Sequence, residues 1–277
     1  MSDDYKPVLR AGSDPLVFFK YPGADDGSGI SKGHIMAAAM SHNLRDGDVV
    51  VVGANSLLPM AAARLAQLTH APNLSLVAGA SGGVNSLLEP LVPSSADYSN
   101  LVAEAVLTFP EVLMIQMGGK ADVFFAGGLQ IDRRGNCNLA RVGKSDRPVM
   151  RGPGSAGIPW ASQCGRTILY ATSHTTRLFV EQVDFVSLAG WPSAAGKSGR
   201  RGPDLVVTPL AVMDFTDDGN MQLQSVHSGV TVEDVVSNTG FELALPEGTV
   251  PTTPQPTDAE MRVIREFDLD GLLAIVI

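Results

Sequence analysis

Residues 46–83, DGDVVVVGANSLLPMAAARLAQLTHAPNLSLVAGASGG, decide the fold. The apolar run Val49–Val52 predicts a strand that ends at Gly53, and an alanine-rich helical segment follows it. The segment 74–77 predicts a second strand, which ends at Gly79. Two strands joined by a helix lie parallel through a right-handed crossover, and ligands of such sheets bind beyond the carboxyl ends of the strands. We therefore expect the functional site at the two glycine turns.

The composition predicts a globular, cytoplasmic protein that binds neither nucleic acid nor membranes. The chain has 277 residues, 44% of them hydrophobic, and a net charge of −9, whereas nucleic-acid binding needs a basic face. No apolar run approaches the roughly 20 residues of a membrane span, and the polar N-terminus is unlike a secretory signal. The two cysteines, Cys137 and Cys164, favour a reducing compartment.

Three segments are expected along the chain. Residues 1–30 have no sustained period and are predicted to form an N-terminal extension, and residues 31–245 form the α/β domain. Residues 246–277 are predicted to hold a proline-rich linker and a final helix, since Thr257 and Glu260 have the spacing of a capping box.

Outside the opening stretch and the final helix, the pattern predicts two more helices and several short strands. The helices span residues 31–44 and 231–237, the second with Thr231 as its N-cap. Residues 84–117 are expected to be irregular and to cover the mouth of the site. The predicted strands are 123–126, 137–139, 166–171, 183–186, 205–208, 212–215 and 221–226.

Three stretches carry a resemblance to a known family: LLPMAAARLAQLTHAPN (57–73), GGLQIDRRGNCN (127–138), and GPDLVVTPLAVMDF with HSGVTVEDVVSNTGFEL (within 202–243). They are similar to the β subunits of family I CoA transferases, the glutaconate CoA-transferase group. The resemblance implies the NagB/RpiA/CoA-transferase-like α/β fold, with a mainly parallel central sheet flanked by helices. It also implies an α subunit as partner, in a heterodimer or α2β2 enzyme, and an acyl-CoA thioester as substrate. Coenzyme A would enter with the substrate, and no permanently bound cofactor is expected.

One position departs from the family pattern. In the transferases a glutamate at the end of the second strand attacks the thioester and carries CoA, and here it falls at Gly79, which offers no nucleophile. Ala78 and Ala80, one position to either side, offer none either. Glycine at this position resembles the branch that hydrolytically opens the last steroid ring, and a branch with cysteine there is a decarboxylase. The resemblance thus implies C–C bond hydrolysis or lyase chemistry rather than covalent CoA transfer.

The predicted site residues come from these motifs. Ser81 and Asn85 are the candidate catalytic groups, beside Gly79 at the glutamate position. The histidines and cysteines show no metal-ligand spacing, so no metal site is predicted. Candidate substrate- and CoA-binding residues lie at the strand ends and on a glycine loop that the resemblance places near CoA: Gly53, Asn55, Ser56, Gly82, Gly128, Gly152, Gly154, Ser155 and Ala156.

Several alternatives stay open. The chain could support true CoA transfer with catalytic groups on the partner, or it could be a non-catalytic subunit that shapes the pocket. A more distant alternative is a serine hydrolase, because residues 79–83 match the nucleophile elbow around Ser81, with Asp184 and His227 following in hydrolase order. Residues 152–157 match a dinucleotide fingerprint outside a clear βαβ context.

A basic loop supplies one further candidate. Lys197, Arg200 and Arg201 could bind CoA phosphates or an acidic partner, with a solvated loop as the simpler interpretation.

Overall fold

A computed structural model describes residues 29–86, 90–155, 157–192 and 202–277. Residues 1–28, Ala156 and the basic candidates Lys197, Arg200 and Arg201 lie outside the described residues. The α-helices are α1 (Lys32–Ser41), α2 (Leu57–Leu68), α3 (Phe109–Met117), α4 (Val232–Ser237), α5 (Asp258–Phe267) and α6 (Leu272–Ile275). The first seven strands are β1 (Val49–Val52), β2 (Ser75–Ala78), β3 (Gly83–Ser86), β4 (Ala103–Val106), β5 (Val123–Ala126), β6 (Gln130–Asp132) and β7 (Cys137–Asn138). The other seven are β8 (Arg141–Gly143), β9 (Pro148–Arg151), β10 (Arg166–Tyr170), β11 (Phe179–Val180), β12 (Leu205–Val207), β13 (Ala211–Phe215) and β14 (Met221–Val226).

Nine strands form one central sheet, in the order β14-β13-β12-β10-β5-β1-β2-β3-β4. The five middle strands, from β12 to β2, are parallel, and two antiparallel strands extend the sheet on each side. The predicted α/β fold, with a central sheet flanked by helices, is confirmed, and its parallel part is the five middle strands. Strands β11, β6 and β7 form a second, three-stranded sheet, and β8 pairs with β9 alone.

The all-valine strand β1 shows why the sheet is covered on both faces. Val50 and Val52 belong to the core that contains α1, α2 and α5, whereas Val51 belongs to the core that contains the three-stranded sheet. Successive side chains of a strand point to opposite faces, so a strand that is buried on both sides is apolar throughout.

The C-terminal segment packs onto the helical face of the domain. The predicted capping box is confirmed, because the Thr257 hydroxyl accepts from the Glu260 backbone N–H at 3.2 Å. Beyond α5 the chain forms α6, whose Leu273 carbonyl oxygen accepts from the Ser31 hydroxyl at 2.9 Å. A Cβ at Gly33 would collide with that same carbonyl group, so the first turn of α1 lies directly against α6. None of the described helices is long and apolar enough to cross a bilayer.

Two expectations about secondary structure are wrong. The segment 84–117 is not irregular, because most of β3 and all of β4 and α3 lie in it. The segment 183–186 is not a strand: the Asp184 side chain accepts hydrogen bonds from Gln130 and from the Gly143 N–H, both at 2.9 Å. Strand propensity is realised only where a neighbouring strand offers its backbone, and none pairs with residues 183–186 in the described part of the chain.

Asn85 fixes the hairpin between β2 and β3. It adopts a positive φ of 49°, a conformation that asparagine tolerates better than most residues. Its Oδ1 accepts from the Leu76 N–H at 2.8 Å and from the Gln67 amide at 3.0 Å, and its Nδ2 donates to Glu104 at 2.9 Å. The side chain therefore joins α2, β2, β3 and β4.

Two buried histidines are held in the neutral form. Nε2 of His227 lies 2.8 Å from the Thr208 carbonyl oxygen, which can only accept, so Nε2 carries the proton. Its Nδ1 then accepts from the Thr253 hydroxyl at 2.9 Å. Burial lowers the pKa of His227 to about 4 and that of His174 to about 3.

We expect the stability of the protein to fall as the pH drops below 6.5. The histidines of the unfolded chain bind protons near that pH, whereas the folded chain resists protonation down to about pH 4 for His227 and about pH 3 for His174. Their contribution is therefore complete above pH 6.5 and is lost through the window below it, by about 2 kcal/mol for each histidine at pH 5. Urea unfolding at several pH values measures this slope. His227→Gln should flatten it, the exposed control His70→Gln should not, and an unchanged slope in His227→Gln would contradict the assignment.

We expect Asn85→Ala to lower the free energy of unfolding by about 2–3 kcal/mol, because it removes three hydrogen bonds and places alanine at a positive φ. Asn85→Gly tolerates the φ and loses only the hydrogen bonds, so its loss should be smaller. Chemical denaturation measures both. If the alanine variant loses turnover but keeps full stability, Asn85 is catalytic as predicted from the sequence and its structural role is minor.

Candidate functional site

The carboxyl ends of β1 and β2 meet at one edge of the sheet, as the sequence predicts. The two strands pair in parallel, with Val52 opposite Ala78. The Gly79 N–H donates to the Val52 carbonyl oxygen at 2.9 Å, which carries the contact one residue past the strands. The Gly53 turn and the Gly79 turn are therefore neighbours.

Two adjacent serines, the buried Ser95 and the half-buried Ser94, bind both turns. The Ser95 hydroxyl donates to the Gly53 carbonyl oxygen at 2.6 Å, and the Ser95 N–H donates to the Ala54 oxygen at 3.1 Å. The Ser94 hydroxyl donates to the same Ala54 oxygen at 2.5 Å, and the Ser95 oxygen accepts from the Ser81 N–H at 3.1 Å. Sequence reasoning missed these serines because they lie in the segment that was expected to be irregular.

Tyr170, at the end of β10, brings in a third strand end. Its hydroxyl donates to the Asn55 carbonyl oxygen at 2.8 Å, so the Ser56 hydroxyl, at 3.2 Å, donates to Tyr170. Burial raises the pKa of Tyr170, which keeps the phenol protonated at neutral pH. A Cβ at Gly127, just after β5, would lie 3.2 Å from the Tyr170 carbonyl oxygen. An aromatic hydroxyl at the end of a predicted parallel strand was the signal that could have found this residue.

The remaining predicted binding glycines form a second group beside the first. A Cβ at Gly128 would collide with Cys137 and lie 2.7 Å from the Asn138 carbonyl oxygen. The Gly152 N–H donates to the Ala140 oxygen at 2.9 Å, and the Ser155 hydroxyl donates to Ser187 at 3.0 Å. Gly154 has a positive φ of 94° and open space around the position of a Cβ.

Position 79 has no room for a side chain. A Cβ there would lie 2.5 Å from the Val52 carbonyl oxygen, a backbone atom that cannot swing away. Gly82, with φ of 89°, is closed as well, because a Cβ would collide with the Leu107 carbonyl group. Residues 79 and 82 of this turn are thus both shaped for glycine.

The two candidate catalytic residues lie in different surroundings. Ser81 is in the turn itself, where its hydroxyl donates to the Ala78 carbonyl oxygen at 3.5 Å and to no other group among the described residues. Asn85 lies further along β3, opposite the middle of β2, with its side chain bound to structural partners. The structure brings Ser81 to the strand ends and leaves Asn85 away from them.

The described residues form neither the catalytic triad that a serine hydrolase needs nor, at residues 152–157, the βαβ unit that a dinucleotide site needs. Both ring nitrogens of His227 are bonded to Thr253 and Thr208, so neither can accept the Ser81 proton, and Asp184 binds Gln130 and Gly143 instead of His227. The loop 152–157 follows a strand of the β8–β9 pair and leads into a short 3₁₀ helix rather than the helix of a βαβ unit.

The chemistry available at the strand ends is that of hydroxyl groups and backbone amides. Residues 53–56 and 79–82 include no acid, base or thiol. Burial raises the pKa of Cys137 to about 12 and that of Cys164 to about 11, so neither thiol is ionised at neutral pH. Among the described residues, no group of three or more potential ligands could hold a metal ion. Such a site can orient and polarise a carbonyl group, but it does not supply a nucleophile from these turns.

Comparison with known proteins agrees with this architecture. A family model described as Coenzyme A transferase matches residues 34–238. The chain is 31% identical over 251 residues to a 3-oxoadipate CoA-transferase subunit of Pseudomonas knackmussii, covering 87% of this chain and 94% of that protein. It is 32% identical over 247 residues to the cholesterol ring-cleaving hydrolase IpdB subunit of Rhodococcus jostii, covering 86% and 92%.

The fold is also similar to that of a solved CoA-transferase structure. Glutaconate coenzyme A-transferase from Acidaminococcus fermentans superposes with a TM-score of 0.78 and 26% identity, covering 89% of this chain and 98% of that one. The family match covers well over half of the sequence, and the chain therefore belongs to the Coenzyme A transferase family.

Proposed function

We propose that this chain is the β subunit of a two-subunit enzyme that acts on an acyl-CoA thioester, and that the reaction is C–C bond hydrolysis or lyase chemistry. The α subunit would supply the acid–base group that these strand ends lack. Coenzyme A enters as part of the substrate and leaves with the product.

The observation that carries the proposal is the closed position at Gly79. Covalent CoA transfer needs a nucleophilic side chain at the point of attack, and a Cβ at position 79 would lie 2.5 Å from a backbone oxygen. The backbone around residue 79 therefore excludes a carboxylate side chain at this position. A reaction that leaves the thioester bond intact has no need of that carboxylate.

The relatives support a two-subunit enzyme and keep two reactions in view. Both curated relatives are named as subunits, one of a CoA transferase and one of a ring-cleaving hydrolase, at 31% and 32% identity. Overall identity does not separate the two, so the residues of the site must do so. True CoA transfer by a group on the α subunit is the alternative that the transferase relative favours.

The site suits stabilisation of an enolate oxygen. Breaking a C–C bond next to a thioester places negative charge on the carbonyl oxygen, and preorganised donors lower the energy of that state. In the Gly79 turn the N–H groups of Gly79, Ser81 and Gly82 already donate to other backbone oxygens, so we assign the donor role to the amides of the Gly53 turn and of Ala80. Ser95 and Tyr170 hold the carbonyl groups of Gly53, Ala54 and Asn55 in fixed positions. A donor array that is fixed before the substrate arrives needs no rearrangement during the reaction.

We expect no CoA adduct on this chain during turnover. The full chain, co-purified with its α subunit, is incubated with carboxylated and cyclic acyl-CoA substrates, and intact-protein mass spectrometry follows each chain while product mass spectrometry follows the CoA esters. The expected products keep the thioester and gain water or lose carbon dioxide. A CoA thioester on this chain, or acyl exchange with an added free acid, would overturn the proposal.

We also expect Gly79→Ala to lower the free energy of unfolding by about 1–3 kcal/mol, because its side chain must displace the Val52 carbonyl group. For the same reason Gly79→Glu should not give the enzyme CoA-transferase activity. The matched control is Ala80→Ser at the exposed neighbouring position, which should change stability by less than about 0.5 kcal/mol. Thermal and urea unfolding measure both. A Gly79→Ala variant as stable as the parent, or a Gly79→Glu variant that accumulates a CoA thioester, would show that the position is open.

A further inference from the structure

The hairpin of β8 and β9 concentrates positive charge in an acidic protein. Residues 141–151 carry four cationic side chains, Arg141, Lys144, Arg147 and Arg151, and one acid, Asp146. The whole chain has a net charge of −9. Lys144, Arg147 and Arg151 are exposed, and in the part of the chain that the structure describes none of the four forms an ion pair.

Two of these arginines are paired across the strands. Arg141 lies directly opposite Arg151 in the register of β8 and β9, so their side chains share a face. Like charges at directly opposed positions destabilise a strand pair. Arg141 is partly accommodated, since its guanidinium donates to the Asp184 carbonyl oxygen at 3.2 Å and lies 5.1 Å from the centre of the Phe185 ring. Arg151 has no such partner among the described residues. An anion bound between the two arginines would offset their repulsion.

The hairpin is held at its base by hydrogen bonds to Asp184 and Asn138. The Gly143 N–H donates to the Asp184 carboxylate at 2.9 Å, and hydrogen bonds from Gly143 and Gln130 lower the pKa of Asp184. The Asn138 amide donates to the Arg141 carbonyl oxygen at 2.6 Å. The arginines therefore stand on a fixed support, which reduces the ordering cost of binding.

The chain runs straight from the hairpin into the predicted CoA loop. Arg151 is followed by Gly152, whose N–H donates to the Ala140 carbonyl oxygen. Ala140 lies two residues after Asn138, and Gly128 packs against Asn138. The hairpin is thus connected to the strand ends through Asn138 and residues 127–128, of which Gly127 packs against Tyr170, but it is not part of them. In an acyl-CoA the pantetheine arm separates the thioester from the phosphates, so the two ends of the ligand need places that are separate in this way.

We propose that this hairpin binds the phosphate groups of coenzyme A, with Arg147 and Arg151 as the main contacts. Guanidinium groups bind phosphate oxygens through paired, charge-assisted hydrogen bonds. The inference rests on the proposed acyl-CoA substrate and adds where its nucleotide end would bind.

The test compares ligands that differ in phosphate content. Calorimetric titration of the full chain co-purified with its α subunit uses coenzyme A and 3′-dephospho-coenzyme A as probes. In the double variant Arg147→Gln/Arg151→Gln we expect the affinity for coenzyme A to fall by at least about tenfold, and the preference for coenzyme A over the dephospho form to shrink. The affinity should also become less sensitive to salt, because fewer charges take part.

A matched control removes two exposed cations elsewhere. Lys120 lies before β5, at the amino end of a parallel strand, and Arg262 is on the outer side of α5, so Lys120→Gln/Arg262→Gln lowers the net charge equally but leaves the hairpin intact. This control should bind coenzyme A like the parent. If it weakens binding as much as the hairpin variant, net charge alone accounts for the effect and the proposal is overturned.

Two other results would also overturn the proposal, and they differ from a failure of the proposed function. If the hairpin variant binds both probes like the parent, the phosphates bind elsewhere, and the acyl-CoA function stands. If the variant binds coenzyme A unchanged but separates from the α subunit on size-exclusion chromatography, the hairpin is a protein interface. If the parent complex binds neither probe and no acyl-CoA, the proposed function itself is wrong.

Discussion

The carbonyl oxygen of Val52 is the group on which the site depends. It accepts the Gly79 N–H at 2.9 Å, and it would lie 2.5 Å from a Cβ at the same residue. One atom thus fixes how closely the ends of β1 and β2 approach and also excludes a side chain from the turn between β2 and β3. The chemistry at this edge must come from backbone amides, from nearby hydroxyl groups or from another chain.

The polar side chains around that contact mainly fix the backbone. Ser95 binds the carbonyls of Gly53 and Ala54, and Tyr170 binds that of Asn55. Burial keeps the Tyr170 phenol protonated, so it remains a donor. Catalysis by preorganised donors requires that they be held in place before the substrate binds. The strand ends of this chain meet that requirement through buried hydrogen bonds rather than through an acid or a base.

The charged residues of this protein are not concentrated at the strand-end turns. The strand-end turns are neutral, the chain as a whole is acidic, and the β8–β9 hairpin is strongly basic. An uncharged strand edge together with a cationic hairpin is consistent with the proposed ligand, whose thioester is uncharged and whose distant nucleotide end is an anion. Because the fold is shared by relatives with different reactions, such local features decide the function more than overall identity does.

The sequence by itself determined the parallel middle of the sheet and the meeting of its first two strand ends. The all-valine strand, the helix after it and the glycine turns were enough to predict β1, α2 and β2 and the meeting of their carboxyl ends at one edge, because those patterns are local. The family resemblance was also visible in sequence, and so was the absence of a carboxylate at residue 79. Only the tertiary structure decided whether residue 79 has room for one, since that depends on Val52, which lies 27 positions earlier in the chain. It also decided that the Asn85 side chain binds within the β2–β3 hairpin and that Ser95 and Tyr170 bind the carbonyl groups of the Gly53 turn. The pairing of Arg141 with Arg151 likewise appears only in the structure. Strand register and side-chain partners are set by contacts between distant segments, which a local pattern does not contain.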